Sequence, residues 1–466
     1  MIEERKAHIV RTREVVNNLK FVLLVKMIRG EDSVINTKYL SKAFVGILFF
    51  LVIVQGGFFE RSFLTASLIL TVIFLITFIG SKGIIHIIIK TAGRKEICCF
   101  TGMVFIFILS AVYHQTSFKD CGRIGYMYLV LIIYIYLLFL NNFNKLYNSV
   151  ILAGVLESGI TLLAYAGINL PSVIVNARNM GSFQYANATA LFMGIVLVLQ
   201  WGISKEKDIL YKERIIMLVT LMLTFSIGGI VLYIFFITIS EIVTRWGNKE
   251  ILYTGLLKIF CETAISIAFA ILIYYFKFRM KNNTLVWLCI MLVVVVSTIV
   301  KKIYYIIEKI NIKISICSLL VVVISEIYIG ILFFGERALG TATERIQQMS
   351  DALCVIYKKP LLGLGMHEWK KYIETQPRIA YKVSLVHNSY LQLGIEAGIF
   401  AMLNIFFIIF IWYYKIFCKK VNIKIWQVCI MTMALVHFSI DITFFFGGII
   451  IVLMVCIFPD KQTELK

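Results

Sequence analysis

Apolar runs long enough to cross a membrane recur along the chain from about Ser41 to Ile457, separated by polar breaks. A helix of about 18–20 apolar residues spans the hydrocarbon core. On that rule, spans are expected near 42–59, 62–80, 97–113, 124–140, 146–167, 186–203, 251–276, 284–300, 314–333, 389–413, 425–440 and 444–458. One further stretch, Arg214 to Val243, would be about 45 Å long as a single helix, against a core of about 30 Å. Gly228-Gly229 sits at its middle, after Ser226, so the chain is expected to break there and turn back. The expected fold is an all-α polytopic membrane protein with about 12–14 transmembrane helices. The turn makes the number fourteen and puts both termini on one side, the cytoplasmic one.

The longest polar passage after the N-terminal segment runs from Gly335 to Gly398. Long loops in compact proteins are commonly functional. Within it Ile346, Met349, Leu353 and Ile356 recur at helical spacing, with Glu344, Arg345, Gln347 and Asp351 between them. That pattern predicts an amphipathic helix, ended by Pro360 and the following glycines. The chain thus divides into a basic cytoplasmic segment (1–41), transmembrane helices with an outer loop around 168–185 (42–334), a large extracytoplasmic loop (335–388), C-terminal transmembrane helices (389–458) and a cytoplasmic tail (459–466). His8 to Ile28 is expected as an amphipathic helix on the inner membrane surface, and no cleavable signal peptide is expected.

Composition agrees with this picture: 60% of the 466 residues are hydrophobic and only four are proline. The net charge of +20 reflects basic clusters in loops that the positive-inside rule assigns to the cytoplasm. These are Lys82, Lys90, Arg94 and Lys95; then Lys205, Lys207, Lys212 and Arg214; then Lys415, Lys419, Lys420 and Lys424. Lys277, Arg279 and Lys281 are the misfit, falling outside. No nucleic-acid motif accompanies the charge, so the bilayer is the expected partner and nucleic acid is not. The ten cysteines are scattered, with Cys98-Cys99 adjacent, and outline neither a zinc site nor a disulfide framework. No Asp-x-Asp pair suggests a metal, and no cofactor is expected.

Two outward segments hold the candidate chemistry. One is Asn176-Ala-Arg178-Asn-Met-Gly181-Ser-Phe-Gln-Tyr-Ala-Asn187, leading into a span. The other carries Arg345, then Pro360-Leu-Leu-Gly363-Leu-Gly365, then His387-Asn388 and Glu396-Ala-Gly398. In this order the motifs resemble the O-antigen ligase and polymerase family of bacterial integral-membrane glycosyltransferases, over roughly Arg178 to Asp441. One position departs from the family. In Thr224-Phe-Ser226-Ile227-Gly228, Ile227 stands where the family often has arginine, which bears on substrate and activity.

The resemblance implies transfer of a glycan from polyprenyl diphosphate (undecaprenyl diphosphate in bacteria) to a glycan or glycolipid acceptor, outside the plasma membrane. A diphosphate leaving group needs cations, and arginine binds phosphate oxygens bidentately. An acceptor hydroxyl needs a base near working pH, which histidine supplies. His387 is accordingly expected as general base, and Arg178 and Arg345 as diphosphate ligands. Gly181 would let backbone approach a phosphate; Asn187, Gly363, Gly365 and Asn388 are expected to support the site. The bland alternatives are a polar residue opening a helix for His387, an interfacial anchor for Arg178 and a solvated face for Arg345. His367 is expected on the surface.

Ionisable residues inside spans are costly. Glu396 and the pair His437 and Asp441, one helical turn apart, are expected to orient the site, with structural pairing the alternative. Glu262 is expected to pair with Lys258 one turn earlier. Glu157 and Glu326 have no partner visible in sequence. The function expected is an inverting, metal-independent glycosyltransferase, polymerase rather than ligase. The alternatives are a lipid-linked oligosaccharide flippase or transporter, and an inactive family member.

Overall fold

The computed structural model describes residues 37–78, 94–140, 143–204, 213–309, 311–376, 381, 383–418 and 423–458. The expected His8–Ile28 helix, the C-terminal tail, and Lys82, Lys90, Lys205, Lys207, Lys212, Lys419 and Lys420 lie outside the described residues. The helices are α1 (Thr37–Ile53), α2 (Glu60–Phe78), α3 (Lys95–Tyr113), α4 (Gly122–Phe139), α5 (Phe143–Tyr165), α6 (Ala186–Ser204), α7 (Arg214–Leu223) and α8 (Ile227–Arg245). They continue as α9 (Lys249–Tyr274), α10 (Asn283–Glu308), α11 (Ile312–Lys358), α12 (Glu368–Glu374), α13 (Ser389–Ala397), α14 (Ile399–Cys418), α15 (Ile425–Ile440) and α16 (Gly447–Ile457). A two-stranded antiparallel hairpin, β1 (Ile174–Val175) and β2 (Arg178–Asn179), sits between α5 and α6.

The expected all-α polytopic architecture is what the chain adopts. Nine helices among the described residues are long and apolar enough to cross a membrane, and four shorter apolar helices accompany them. The most enclosed is α6, with 94% of its apolar window buried. It is flanked by α5, α7, α8, α15 and α16.

The expected turn in the 214–243 stretch forms, three residues earlier than the glycine pair. α7 ends at Leu223, Phe225 takes a positive φ of 48°, and Ser226 opens α8. Nineteen residues along one helix would separate Arg214 from Tyr233 by about 28 Å. Their side chains instead meet at 2.8 Å, so the chain turns back between α7 and α8, and both helices pack on α6 and α9. Gly229 packs where a Cβ would lie 2.5 Å from that of Ala190. Arg214, expected in a cytoplasmic loop, is instead buried, 1% exposed, and ion-paired with Glu262 of α9 at 2.6 Å. Glu262 therefore does not pair with Lys258, which reaches Glu308 of α10.

The expected boundary between a span at 314–333 and a loop from 335 is absent. α11 runs unbroken for 47 residues, about 70 Å, more than twice the hydrocarbon core. Gly335 does not stop it, because one glycine costs a helix only about 1 kcal/mol. Of the expected stripe, Ile346 and Leu353 are exposed, whereas Ile356 is buried and Met349 packs against the same core, so the buried face is turned from the expected one. The buried face carries Gln348, Ala352, Val355 and Ile356. The last three join Trp369, Ile373, Tyr381, Val386, Leu391 and Ile395 in a separate small core. The expected loop is thus a folded cap.

The span expected at 389–413 is likewise divided, by Gly398 at φ 82°. The Pro360–Gly365 turn locks into that break. Leu364 N donates to Ile395 O at 2.7 Å and Ile399 N to Pro360 O at 2.8 Å. Gly363 has φ 66°, and a Cβ there would lie 2.1 Å from Ile395 O. Gly363→Ala should therefore destabilise the cap by at least ~1–2 kcal/mol from the left-handed backbone alone. A lowered melting temperature of the purified protein is the check, and an unchanged one would contradict the interlock.

Candidate active site

Arg178 reaches the site through its hairpin. Asn176 and Ala177 both have positive φ, the conformation that closes a tight two-residue turn, and Arg178 is the first residue of the returning strand. Its Nε donates to Thr224 O at 3.0 Å, and its Nη2 lies 3.4 Å from Asn187 Oδ1 and 3.5 Å from Phe225 O. The guanidinium therefore sits on the break between α7 and α8, beside Ile227. Ser226 leaves the first turn of α8 without a side-chain cap and donates to Asn187 Oδ1 at 2.8 Å instead.

Asp441, just past α15, gathers the remaining elements. Its carboxylate, 1% exposed, accepts from Arg345 Nη2 at 3.0 Å, Asn187 Nδ2 at 2.6 Å and Tyr185 OH at 2.8 Å. Arg345 also donates from Nη1 to Ile440 O at 2.7 Å. The Asp441 carbonyl accepts from Ser389 at the start of α13. Asn388 caps α13 at Leu391 N and donates to Ser439 O at 2.7 Å. Asp441 thereby ties the start of α6 and Arg345 of α11 to its carboxylate and the start of α13 to its carbonyl, while Arg345 also holds the end of α15. Burial, then Asp441, drives the Tyr185 phenol well above its ordinary pKa, so it acts as a donor.

His387, half-buried, immediately precedes Asn388. Gln348 Oε1 faces both its backbone N (3.2 Å) and its Nδ1 (2.9 Å). Burial lowers its pKa below 6.5; Asp441 and Glu344 push it up and Arg345 pushes it down. Two expected site residues, Arg178 and Arg345, are thus joined through Asn187 and Asp441, with His387 in electrostatic reach of Arg345 and Asp441. A lowered pKa keeps the imidazole neutral, and able to accept a proton, to lower pH. The acid limb of any transfer catalysed by this base should fall below pH 6.5. A rate-versus-pH profile checks this, and a limb above that value would contradict it.

Other expected site residues lie elsewhere. The space that a Cβ on Gly181 would fill is taken by the Glu157 carboxylate, not left open. Glu157 itself accepts from Ser182, which answers the question of its partner. Gly363 and Gly365 pack on Ile395 and His114, away from Asp441. Glu396 is 3.1 Å from Arg123 and accepts from Gln392, whose Oε1 holds Val386 N just before His387. It supports the loop rather than the cluster. His437 bonds Thr443 at 2.9 Å, and the alternative of a structural pair with Asp441 does not form. His367 is on the surface, 3.7 Å from Glu60.

Residues 214–406 match the family model described as O-antigen ligase. The chain carries an O-antigen ligase domain. Among curated proteins no relative matches it. The matched part is thus similar to the O-antigen ligase type that the motif order suggests, within a bundle of helices long and apolar enough for a multi-pass membrane protein. The ligase match contains Arg345, His387, Asn388 and Glu396; Arg178, Asn187, His437 and Asp441 lie outside it. Folding brings Asp441 and Asn187 back onto the matched part.

Sequence reasoning missed Tyr185, Ser226 and Gln348 as members of the cluster. A buried glutamine one turn from an arginine is a usable signal only once the buried face of α11 is known. An apolar cavity of about 310 Å³ lies between α3, α4, α14, α15 and α16. It reaches Tyr390 of α13 at one end and Arg94, Glu96 and Lys415 at the other. Among the described residues no group of three His, Cys, Asp or Glu side chains comes together.

Proposed function

We propose that this protein transfers glycan units from a polyprenyl diphosphate to an acceptor hydroxyl at the outer face of a bacterial plasma membrane, extending a surface polysaccharide. His387 takes the proton of the acceptor hydroxyl. The oxygen attacks the anomeric carbon from the side opposite the diphosphate, forming one C–O bond as the other breaks, with inversion. The polyprenyl diphosphate leaves with its charge held by Arg178, Arg345 and the uncapped N-terminus of α8. That terminus is a natural anion site and stands where the family arginine is replaced by Ile227. Polymerisation is preferred to ligation, and no metal is required.

The observation that carries this reading is the joining of two guanidiniums, Arg178 and Arg345, through Asn187 and Asp441, with the His387 imidazole on Gln348 within electrostatic reach of Arg345 and Asp441. Arg178 and Arg345 bring two guanidiniums to one cluster, which suits the two phosphates of a diphosphate. The apolar cavity reaching Tyr390, three residues after His387, supports a substrate with a lipid tail.

The test is reconstitution in vesicles with a polyprenyl-diphosphate oligosaccharide and a chelator. Longer glycans are expected. Lipid translocation without new glycosidic bonds would make the protein a flippase, and growth only with added divalent metal would end the metal-independent mechanism. In the same assay Arg178→Lys should weaken donor binding at least about tenfold, the loss of one charge-assisted hydrogen bond of ~1.5–3 kcal/mol. Full retention of donor affinity would remove Arg178 from the diphosphate site.

A further inference from the structure

Gln348 is 1% exposed and lies on the buried face of α11, one turn after Glu344. Its two amide ends are assigned by their neighbours. A backbone N–H can only donate, and the His387 N–H points at Gln348 Oε1 at 3.2 Å. A carboxylate accepts, and Glu344 Oε1 lies 3.0 Å from Gln348 Nε2. The carbonyl end therefore faces His387 and the amino end faces Glu344.

The consequence falls on the ring. A carbonyl oxygen has no proton to give, so at 2.9 Å from Gln348 Oε1 the His387 Nδ1 must be the donor. Neutral imidazole carries one N–H, so Nε2 keeps its lone pair. We propose that Gln348 is a positioning residue that sets the Nδ1–H tautomer of His387 and presents Nε2 to the acceptor hydroxyl, with Glu344 fixing the orientation of its amide. This rests on the reading of His387 as base. Unlike a carboxylate in the same place, a neutral amide holds the tautomer without stabilising the imidazolium by charge. The charged groups facing the ring are then Asp441 from the end of α15 and Arg345 and Glu344 from α11.

The decisive variant is the exchange Glu344→Gln with Gln348→Glu. It puts a carboxylate against Nδ1 while net charge and the hydrogen-bond chain are kept. In the full-length protein in vesicles, His387 is titrated by diethyl pyrocarbonate labelling, read by peptide mass spectrometry, which needs no turnover. The exchange should raise the labelling midpoint by about one to three pH units. The acid limb of glycan transfer should move up by the same amount. Gln348→Met should lower kcat at least about tenfold with the donor KM unchanged, and Gln348→Glu in the exchange variant should restore most of it.

An unmoved labelling midpoint in the exchange variant would overturn the tautomer assignment, whatever transfer does. A midpoint that moves while the acid limb of transfer stays fixed would overturn His387 as base, and the positioning role with it. If Gln348→Met fails to fold, the exchange variant alone decides.

Discussion

His387→Ala lowers glycan transfer by about 10²–10⁴-fold, the usual contribution of a positioned general base. The protein should remain folded, because the groups His387 meets are retained. Gln348 still accepts the backbone N–H of residue 387, and Asn388 still caps α13. The loss should fall on kcat, since the imidazole acts on the acceptor hydroxyl in the transition state and not on the diphosphate that binds the donor. Purified variant in vesicles, compared with wild type at equal amount and equal melting temperature, gives the measurement. Near-wild-type transfer would remove the base, leaving Arg178 and Arg345 as a binding site without this chemistry.

Arg214→Ala should destabilise the bundle by ~3–5 kcal/mol, the cost of stranding one member of a buried ion pair. Arg214 lies at the start of the ten-residue α7, about 15 Å from the break at Thr224. Inside an apolar bundle an unpaired charge is costly, and this one is fully engaged. It meets Glu262 at 2.6 Å, Tyr233 at 2.8 Å and Leu197 O at 2.8 Å, and its guanidinium lies 4.7 Å from the Trp201 ring. Tyr304 also donates to Glu262. Removing the guanidinium leaves the Glu262 carboxylate facing apolar helices. The double variant Arg214→Met with Glu262→Leu should recover most of the lost stability, because no buried charge is then left alone. Thermal unfolding in detergent compares the three proteins. A single variant as stable as wild type would mean that water or lipid headgroups reach Glu262.

These two predictions draw on different parts of the chain's logic. The His-Asn pair opening a helix is a local pattern, visible in sequence and meaningful once its order with Arg345 and the Pro360 turn is seen. The Arg214–Glu262 contact joins residues 48 apart on helices that pack only because α8 turns back. A basic residue after a polar loop reads as a cytoplasmic charge until the packed helices show it buried against Glu262.

The amino-acid sequence alone determined the membrane class, most helix positions, the reversal within 214–243 and the order of the family motifs. All of these depend on hydropathy and spacing over tens of residues or fewer, which a single chain displays directly. Tertiary structure decided which face of α11 is buried, and so that Gln348 rather than Ile346 turns inward. It decided that Asp441 binds Arg345 and Asn187 rather than His437, and that Gly363 serves the cap instead of the cluster. Helical periodicity defines faces only relative to one another; which of them meets the bundle depends on the neighbours packed around it.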